Sequence, residues 1–304
     1  DASAGAAVDT ASELSALATA VSKLAATAAV TPPAATPTPG LTLADLAALG
    51  INGATADNLA TIIAFIANSA NDGTGVDTKA ELQALVNAAA AQAIKDAVIA
   101  QISLYDGTQA APTRNNYADA GITGVDLTNR DIINSIVAQL PPAQTDSAAE
   151  LQAIVTASNK IIALADGTAA NGSASALAAT DTAAIGLVGV DTVAELALFN
   201  TIIDGSQIGT VDTYAELAEI ARVVQAIILT ASGGTPTPAL TVADYALIGI
   251  TGLDSSSLSF MAAQIAATAD NGTGVDSLTE LQTLATSSAS ALDSARTDRV
   301  AVIS

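Results

Sequence analysis

The 304-residue chain contains neither cysteine nor histidine. Without cysteine there is no disulfide stapling, a condition compatible with the cytosol or with the surface of a Gram-negative bacterium. Without histidine the chain lacks the commonest general base, the commonest transition-metal ligand and the side chain that changes charge near neutral pH. Aromatic residues make up 2% of the sequence, so the apolar 50% consists largely of alanine and other small side chains. Helices with alanine at the contact can approach to about 8 Å, and many modest contacts replace a few large ones. Alanine's helix propensity offsets part of that deficit.

Positive charge is scarce too: nine Lys and Arg stand against 30 Asp and Glu, a formal net charge of -21. So acidic a surface repels phosphate backbones and excludes nucleic-acid binding. It keeps an extracellular protein soluble and attracts divalent cations. No run of 18 apolar residues is present, so membrane insertion is not expected, and no charged-then-apolar leader opens the chain. The opening Asp1-Ala2-Ser3-Ala4-Gly5 suits a mature end left by a signal peptidase, and equally an arbitrary boundary.

What the sequence does have is an internal repeat. Val76-Asp77-Thr78-Lys79-Ala80-Glu81-Leu82 has relatives at Val8–Leu14, Thr145–Leu151, Val211–Leu217 and Val275–Leu281. Their glutamates, Glu13, Glu81, Glu150, Glu216 and Glu280, lie 68, 69, 66 and 64 residues apart. A period of that size decides the architecture before any single residue is weighed. Each copy predicts a helix start. Thr10 with Glu13, Thr78 with Glu81, Ser147 with Glu150, Thr213 with Glu216 and Ser277 with Glu280 are capping boxes, in which hydroxyl and carboxylate satisfy free backbone N–H groups reciprocally. The preceding Asp adds negative charge at the positive end of the helix dipole. Apolar residues at helical spacing follow, such as Leu82, Leu85, Val86, Ile94, Val98 and Ile102.

Two further helices precede each long one. Leu41–Gly50 reads as a short helix closed by Gly50, Ile51-Asn52-Gly53 as a turn, and the stretch from about Thr55, with Leu59, Ile62, Ile63 and Ile66, as a second helix. The grammar returns after Gly121, Gly186 and Gly249. Thr192 and Glu195 form an extra capping box, so second and third helices look like diverged copies of one another. The expected fold is all-α: tandem three-helix units (short helix, helix, long helix) of about 65 residues chained as a rod. The boundaries are an N-terminal half-unit helix at 1–30, a Pro/Thr linker at 31–40, units at 41–105, 106–165 and 166–232, and a linker, fourth unit and tail at 233–304. The tail's β-branched run, Val300 to Ile303, reads as a strand or as the fragment of a longer chain.

Tyr117-Ala118-Asp119-Ala120-Gly121-Ile122-Thr123, followed by an Asn/Leu/Ile-containing second helix and a Glu-Leu-Gln third helix, resembles the three-helix albumin-binding modules of Gram-positive surface proteins. It resembles more closely the Ala-rich Asp-Thr-x-x-Glu-Leu/Ile-Gln repeats of very large secreted proteins of Gram-negative bacteria. The resemblance covers nearly the whole chain and implies a helical, extracellular, cell-surface protein of a Gram-negative bacterium.

Chemistry-bearing candidates are few. Asp72, Asp77, Asp270 and Asp276 lie in Asn/Asp/Gly turns that supply hard oxygen donors for calcium, the one cofactor the sequence suggests. Neither turn places oxygen side chains at loop positions 1, 3 and 5 with Glu at 12. Turn geometry and capping account for the same residues. The recurrent glutamates Glu81, Glu150, Glu216 and Glu280 are explained by capping, and an active site repeated at every helix start would be unlike an enzyme, which gathers its residues in one pocket. No phosphate loop, zinc spacing or nucleophile elbow is present, so no enzymatic activity is expected. The Thr-Pro stretches at 36–39 and 235–238 suit O-linked sugars or unmodified spacers. Asn171-Gly172-Ser173 and Asn271-Gly272-Thr273 match the N-glycosylation triplet, and also turns.

The functional expectation is a secreted structural protein, the subunit of a fibre, sheath or surface layer that assembles with itself head to tail. The joints are expected at the lone N-terminal helix, with Leu14, Leu17, Val21 and Leu24 on one face, and at the Val300, Val302 and Ile303 tail. The lone helix either folds back on the first full unit or completes a neighbouring subunit. The competing expectation is a monomeric adhesin stalk or module that binds a host or surface ligand.

Overall fold

The structure, a computed structural model, describes residues 10–29, 40–69, 75–167, 176–269 and 271–303. The linker at 31–39, Asp72, Asp270 and the triplet Asn171-Gly172-Ser173 lie outside them. The described residues are mostly helical, with thirteen α-helices and no strand; one isolated antiparallel bridge joins Asp166 and Gln207. The all-α expectation therefore holds. No helix among the described residues is long and apolar enough to cross a membrane.

The chain divides into two compact units, Asp1–Val98 and Ile99–Ser304. The first holds α1 (Ala11–Ala28), α2 (Leu43–Ala48), α3 (Leu59–Ala67) and most of α4 (Lys79–Ser103). The second continues with α5 (Arg114–Asp119), α6 (Arg130–Val137), α7 (Ala148–Leu164), α8 (Ala179–Ala184), α9 (Val193–Gly205) and α10 (Tyr214–Ala231). It ends with α11 (Val242–Leu247), α12 (Leu258–Ala266) and α13 (Leu278–Ile303).

In the first unit α1 packs on α2 and α3. Leu24 and Ala28 of α1 join Leu46 of α2, Ile62 and Ile66 of α3, and Leu82, Val86 and Ala89 of α4 in one core. Of the two fates open to the N-terminal helix, folding back onto the helices that follow it is the one observed. Leu24, expected at a joint between subunits, is buried there and is not available to a partner.

In the second unit the long helices are shared. α7 packs on α6 and also on α8 and α9, while α10 packs on α9 and also on α11 and α12. The second helices reach forward as well, α6 onto α10 and α9 onto α13. Each long helix therefore needs two apolar faces, which explains why isoleucine, leucine and valine are dense in α7 and α10 and why Leu151, Ile154, Ile161, Leu217, Val224 and Ile227 are all buried.

Two expectations fail. Ile94 is 63% exposed. It lies five residues past the buried Ala89, about 140° round the helix axis, and so leaves the stripe that Leu82 and Val86 define. The tail is not a strand, because α13 runs through Ile303. A strand there would need an edge to pair with, whereas continuing an existing helix costs a β-branched residue only about 0.7 kcal/mol or less.

Candidate functional site

The recurrent carboxylates do one thing. Thr10 Oγ1 accepts from Glu13 N at 3.1 Å while Glu13 Oε2 accepts from Thr10 N at 3.0 Å. The reciprocal pair recurs between Thr78 and Glu81 (3.2 and 3.0 Å), between Thr192 and Glu195 (3.3 and 3.0 Å) and between Thr213 and Glu216 (3.3 and 3.0 Å). At the start of α7, Ser147 Oγ accepts from Glu150 N at 3.3 Å, and Glu150 Oε2 accepts from Ser147 N at 3.0 Å and from the Ser147 hydroxyl at 2.8 Å. Glu150 is half-buried there, its carboxylate occupied by the cap. At Ser277 the hydroxyl accepts from Glu280 N at 3.3 Å, and Glu280 Oε2 accepts from Asp276 N at 3.1 Å. Six helix starts are capped this way, each at its own place in the chain.

The acids beside these caps show the cost of crowding. Burial and then the neighbouring Glu216 push the Asp212 carboxyl up, and burial and then the Glu280 hydrogen bond do the same to Asp276. Hydrogen bonds from Thr78 and then Asp77 hold Glu81 below the ordinary glutamate range. Of the calcium candidates, Asp77 and Asp276 sit immediately before an N-cap residue, beside a capping glutamate. Among the described residues no group of three or more metal-ligating side chains comes together. Asn271, in the triplet at 271–273, accepts from Thr273 N at 3.2 Å and from Thr273 Oγ1 at 2.9 Å, the bonds of a turn.

A second set of recurrent residues escaped the sequence reading. The third residue of each short helix closes its own capping box: Asp45 with Thr42, Asn116 with Thr113 and Asp244 with Thr241, while Asp181 accepts from the backbone of Ala178. Three of these four also receive a cation from the preceding long helix. Lys23 Nζ lies 2.8 Å from Asp45, Lys160 Nζ lies 2.6 Å from Asp181, and Arg222 pairs with both Asp244 and Glu219. Three of the nine cations in the chain thus pin one helix to the next. The signal was legible as Thr-x-x-Asp, a capping box with a shorter acid than the Glu or Gln that defines the motif.

A third set is an amide clamp. Gln83 Oε1 accepts from Asn52 N at 3.0 Å and its Nε2 donates to Asn52 O at 2.8 Å. Gln152 does the same to Thr123 (2.9 and 3.1 Å), and Gln282 to Thr251 (3.0 and 3.0 Å). Each glutamine follows its capping glutamate by two residues and fastens the long helix to the turn after the short one. In α10 that place holds Ala218, and Gln225 instead donates to Val188 O at 2.5 Å.

The ion pairs predict a pH response. Burial alone would raise the Asp244 carboxyl, but the hydroxyl and N–H of Thr241 and the Arg222 guanidinium outweigh it and hold the group below its ordinary value. A depressed folded value means that its stabilisation is complete above the unfolded value of about 3.9 and is lost as pH falls through the folded one. Asp244→Asn keeps the cap, as Asn116 does in α5, and removes the charge. It is expected to cost about 1–2 kcal/mol at pH 7, and the gap to wild type should close below about pH 4. Thermal melts of both proteins across pH 3–7 measure this; a gap that stayed constant with pH would exclude the ion pair as its source.

The remaining feature is the outer face of α1. Counted from the capping glutamate, position +1 is Leu14, Leu82, Leu151, Leu217 and Leu281 in the five long helices. Leu14 is 60% exposed, whereas the other four are 0–2% exposed. Position +8 is Val21, Ala89, Ser158, Val224 and Ser288; Val21 is 50% exposed and the others are fully buried. Ala18 at +5 is exposed and Leu17 at +4 is half-buried. Beside this face lies a cleft of 320 Å³ lined by Val21, Leu24, Leu49, Ile51, Val76 and Lys79, among others. The last joint candidates, Val300, Val302 and Ile303, belong to the final turns of α13.

Comparison of the chain with protein-family models, with curated proteins and with solved structures returns no match.

Proposed function

We propose that the chain is a non-enzymatic structural protein: tandem three-helix units of about 65 residues chained as a rod and serving as the subunit of an extracellular bacterial fibre, sheath or surface layer. The observation that carries this reading is the outer face of α1. Leu14 and Val21, at positions the other long helices bury, form an exposed apolar stripe with the half-buried Leu17 between them, on a chain with a net charge of -21 that otherwise keeps itself soluble. A contact between this face and a different face of a second copy is heterologous, and heterologous contacts propagate into filaments when they do not close. The recurrent acids support the same reading, since capping engages them at six helix starts.

The test is negative-stain electron microscopy of the wild type and of the triple variant Leu14→Asp, Leu17→Asp, Val21→Asp, at several concentrations, with and without calcium. Wild type is expected to form ordered filaments or sheets, and the variant to remain dispersed with unchanged helical circular dichroism. Dispersed wild-type particles in every condition would sink the reading and leave the monomeric stalk, for which the next experiment is a search for a ligand.

A further inference from the structure

The second unit shows what covers the face that α1 leaves open. α6, α9 and α12 lie against the long helices that follow them, α7, α10 and α13, in all of which positions +1, +5 and +8 are buried. α6 also reaches forward to the start of α10. There Ser135 Oγ accepts from Tyr214 N at 2.8 Å, and Leu140, just past α6, sits so close to Gly186 that a side chain at 186 would collide with it. A single second helix therefore covers both the outer face of its own long helix, at +1, +5 and +8, and the cleft at the next one.

In the first unit Gly50 corresponds to Gly186 and Lys79 to Tyr214, by their offsets from Asp45 and Asp181 and from Glu81 and Glu216. Lys79 lies over Gly50 as the Tyr214 ring lies by Gly186, whose carbonyl accepts from the tyrosine hydroxyl at 3.1 Å. The 320 Å³ cleft opens at this place, and it shares Val21 with the exposed stripe. Stripe and cleft are two parts of one footprint, the footprint that α6 and Leu140 fill between α7 and α10.

In the second unit the long helices α7 and α10, buried at +1, +5 and +8, pack on the second helices that precede them, α6 and α9. The partner that the open face of α1 calls for is therefore a helix of the second kind and not a long helix.

We propose that the outer face of α1 and the adjoining cleft form one docking site for a helical hairpin built like residues 112–141 of this chain. Such a hairpin has a capped short helix, a tight turn and a second helix whose buried side includes Ile132, Ile133, Ile136 and Val137, with a leucine at the place of Leu140 to enter the cleft. Association through it extends the array by the packing the second unit already uses. The proposal rests on reading the chain as an assembling repeat protein and specifies what the open face of α1 receives.

The test supplies the hairpin covalently, so that weak association does not limit it. Residues 112–146 replace residues 1–9, which sets the hairpin and its own loop directly ahead of Thr10, the counterpart of Ser147. Hydrogen exchange across α1 is expected to slow by about tenfold or more relative to wild type. The same fusion carrying Leu14→Asp and Val21→Asp, at side chains 60% and 50% exposed in the free chain, should lose that protection. Unchanged exchange in α1, or a slowing that persists with both aspartates in place, would overturn the docking site. Unchanged exchange in the fusion while the wild type forms fibres overturns the site alone, whereas protection gained in the fusion while the wild type never polymerises supports the site and counts against the fibre.

Discussion

Deletion of residues 1–30 is expected to melt the first unit. The helix looks dispensable from the sequence, since it stands alone ahead of a proline linker, but Ala20, Leu24, Thr27 and Ala28 are all buried at 0–8% exposure against α2 and α3. Its loss uncovers Leu46, Ile62 and Ile66, which are fully buried in the intact unit. It also leaves Asp45, held below its ordinary value by Lys23 and Thr42 against the upward push of burial, without its cation. Losing one buried leucine, two buried alanines and an ion-pair partner costs roughly 4–6 kcal/mol. A domain's total stability is about 5–15 kcal/mol, so the truncated unit should be largely unfolded near room temperature. Hydrogen exchange resolved to residues 41–98 measures this directly, and native-like protection there in the truncated protein would refute it. For the same reason the assembly tests use aspartate substitutions on the exposed stripe and not truncations.

The second large effect is expected at Asn134. Its Oδ1 accepts from the Tyr117 hydroxyl at 2.8 Å and its Nδ2 donates to Pro112 O at 2.9 Å, tying α6 to α5 and to the segment before it. Tyr117 is completely buried, and burial, with Tyr105 adding to it, pushes its phenol well above the ordinary range, so the hydroxyl stays protonated as a donor. Asn134→Ala strands that hydroxyl and the Pro112 carbonyl without partners and should cost about 3 kcal/mol. Tyr117→Phe removes the donor in advance, so the double variant should be less destabilised than the sum by about 1–2 kcal/mol. Urea unfolding of the four proteins completes the cycle. Additivity within about 0.5 kcal/mol would mean that the two side chains act independently.

The capping boxes, the glycine turns and the long helices were legible because each rests on bonds between residues three to five apart. Thr10 finds Glu13, Thr78 finds Glu81 and Ser147 finds Glu150 whatever the rest of the chain does. The turn after each short helix is equally local: Gly50 adopts a φ of 69° and Gly186 one of 73°, a left-handed conformation that a side chain resists. Local chemistry also explains the one acid position that was passed over, since Asp45 and Asp244 cap their helices as glutamate does, only from a shorter side chain.

What could not be read is which side of a helix meets which neighbour. Leu14 and Leu24 belong to one apolar stripe by spacing, yet Leu24 is sealed into the core and Leu14 is open, because α2 and α3 cover only the C-terminal part of α1. Lys23 with Asp45, Lys160 with Asp181 and Arg222 with Asp244 lie 22, 21 and 22 residues apart, and the Gln83 and Gln152 clamps span 31 and 29. Contacts at that separation have no periodicity of their own. By itself the sequence determined the helices, their starts and the turns between them, because those are settled by hydrogen bonds a few residues long. The tertiary structure alone decided which faces are shared and which is left open, because an amphipathic helix specifies an apolar surface but not the surface that will cover it.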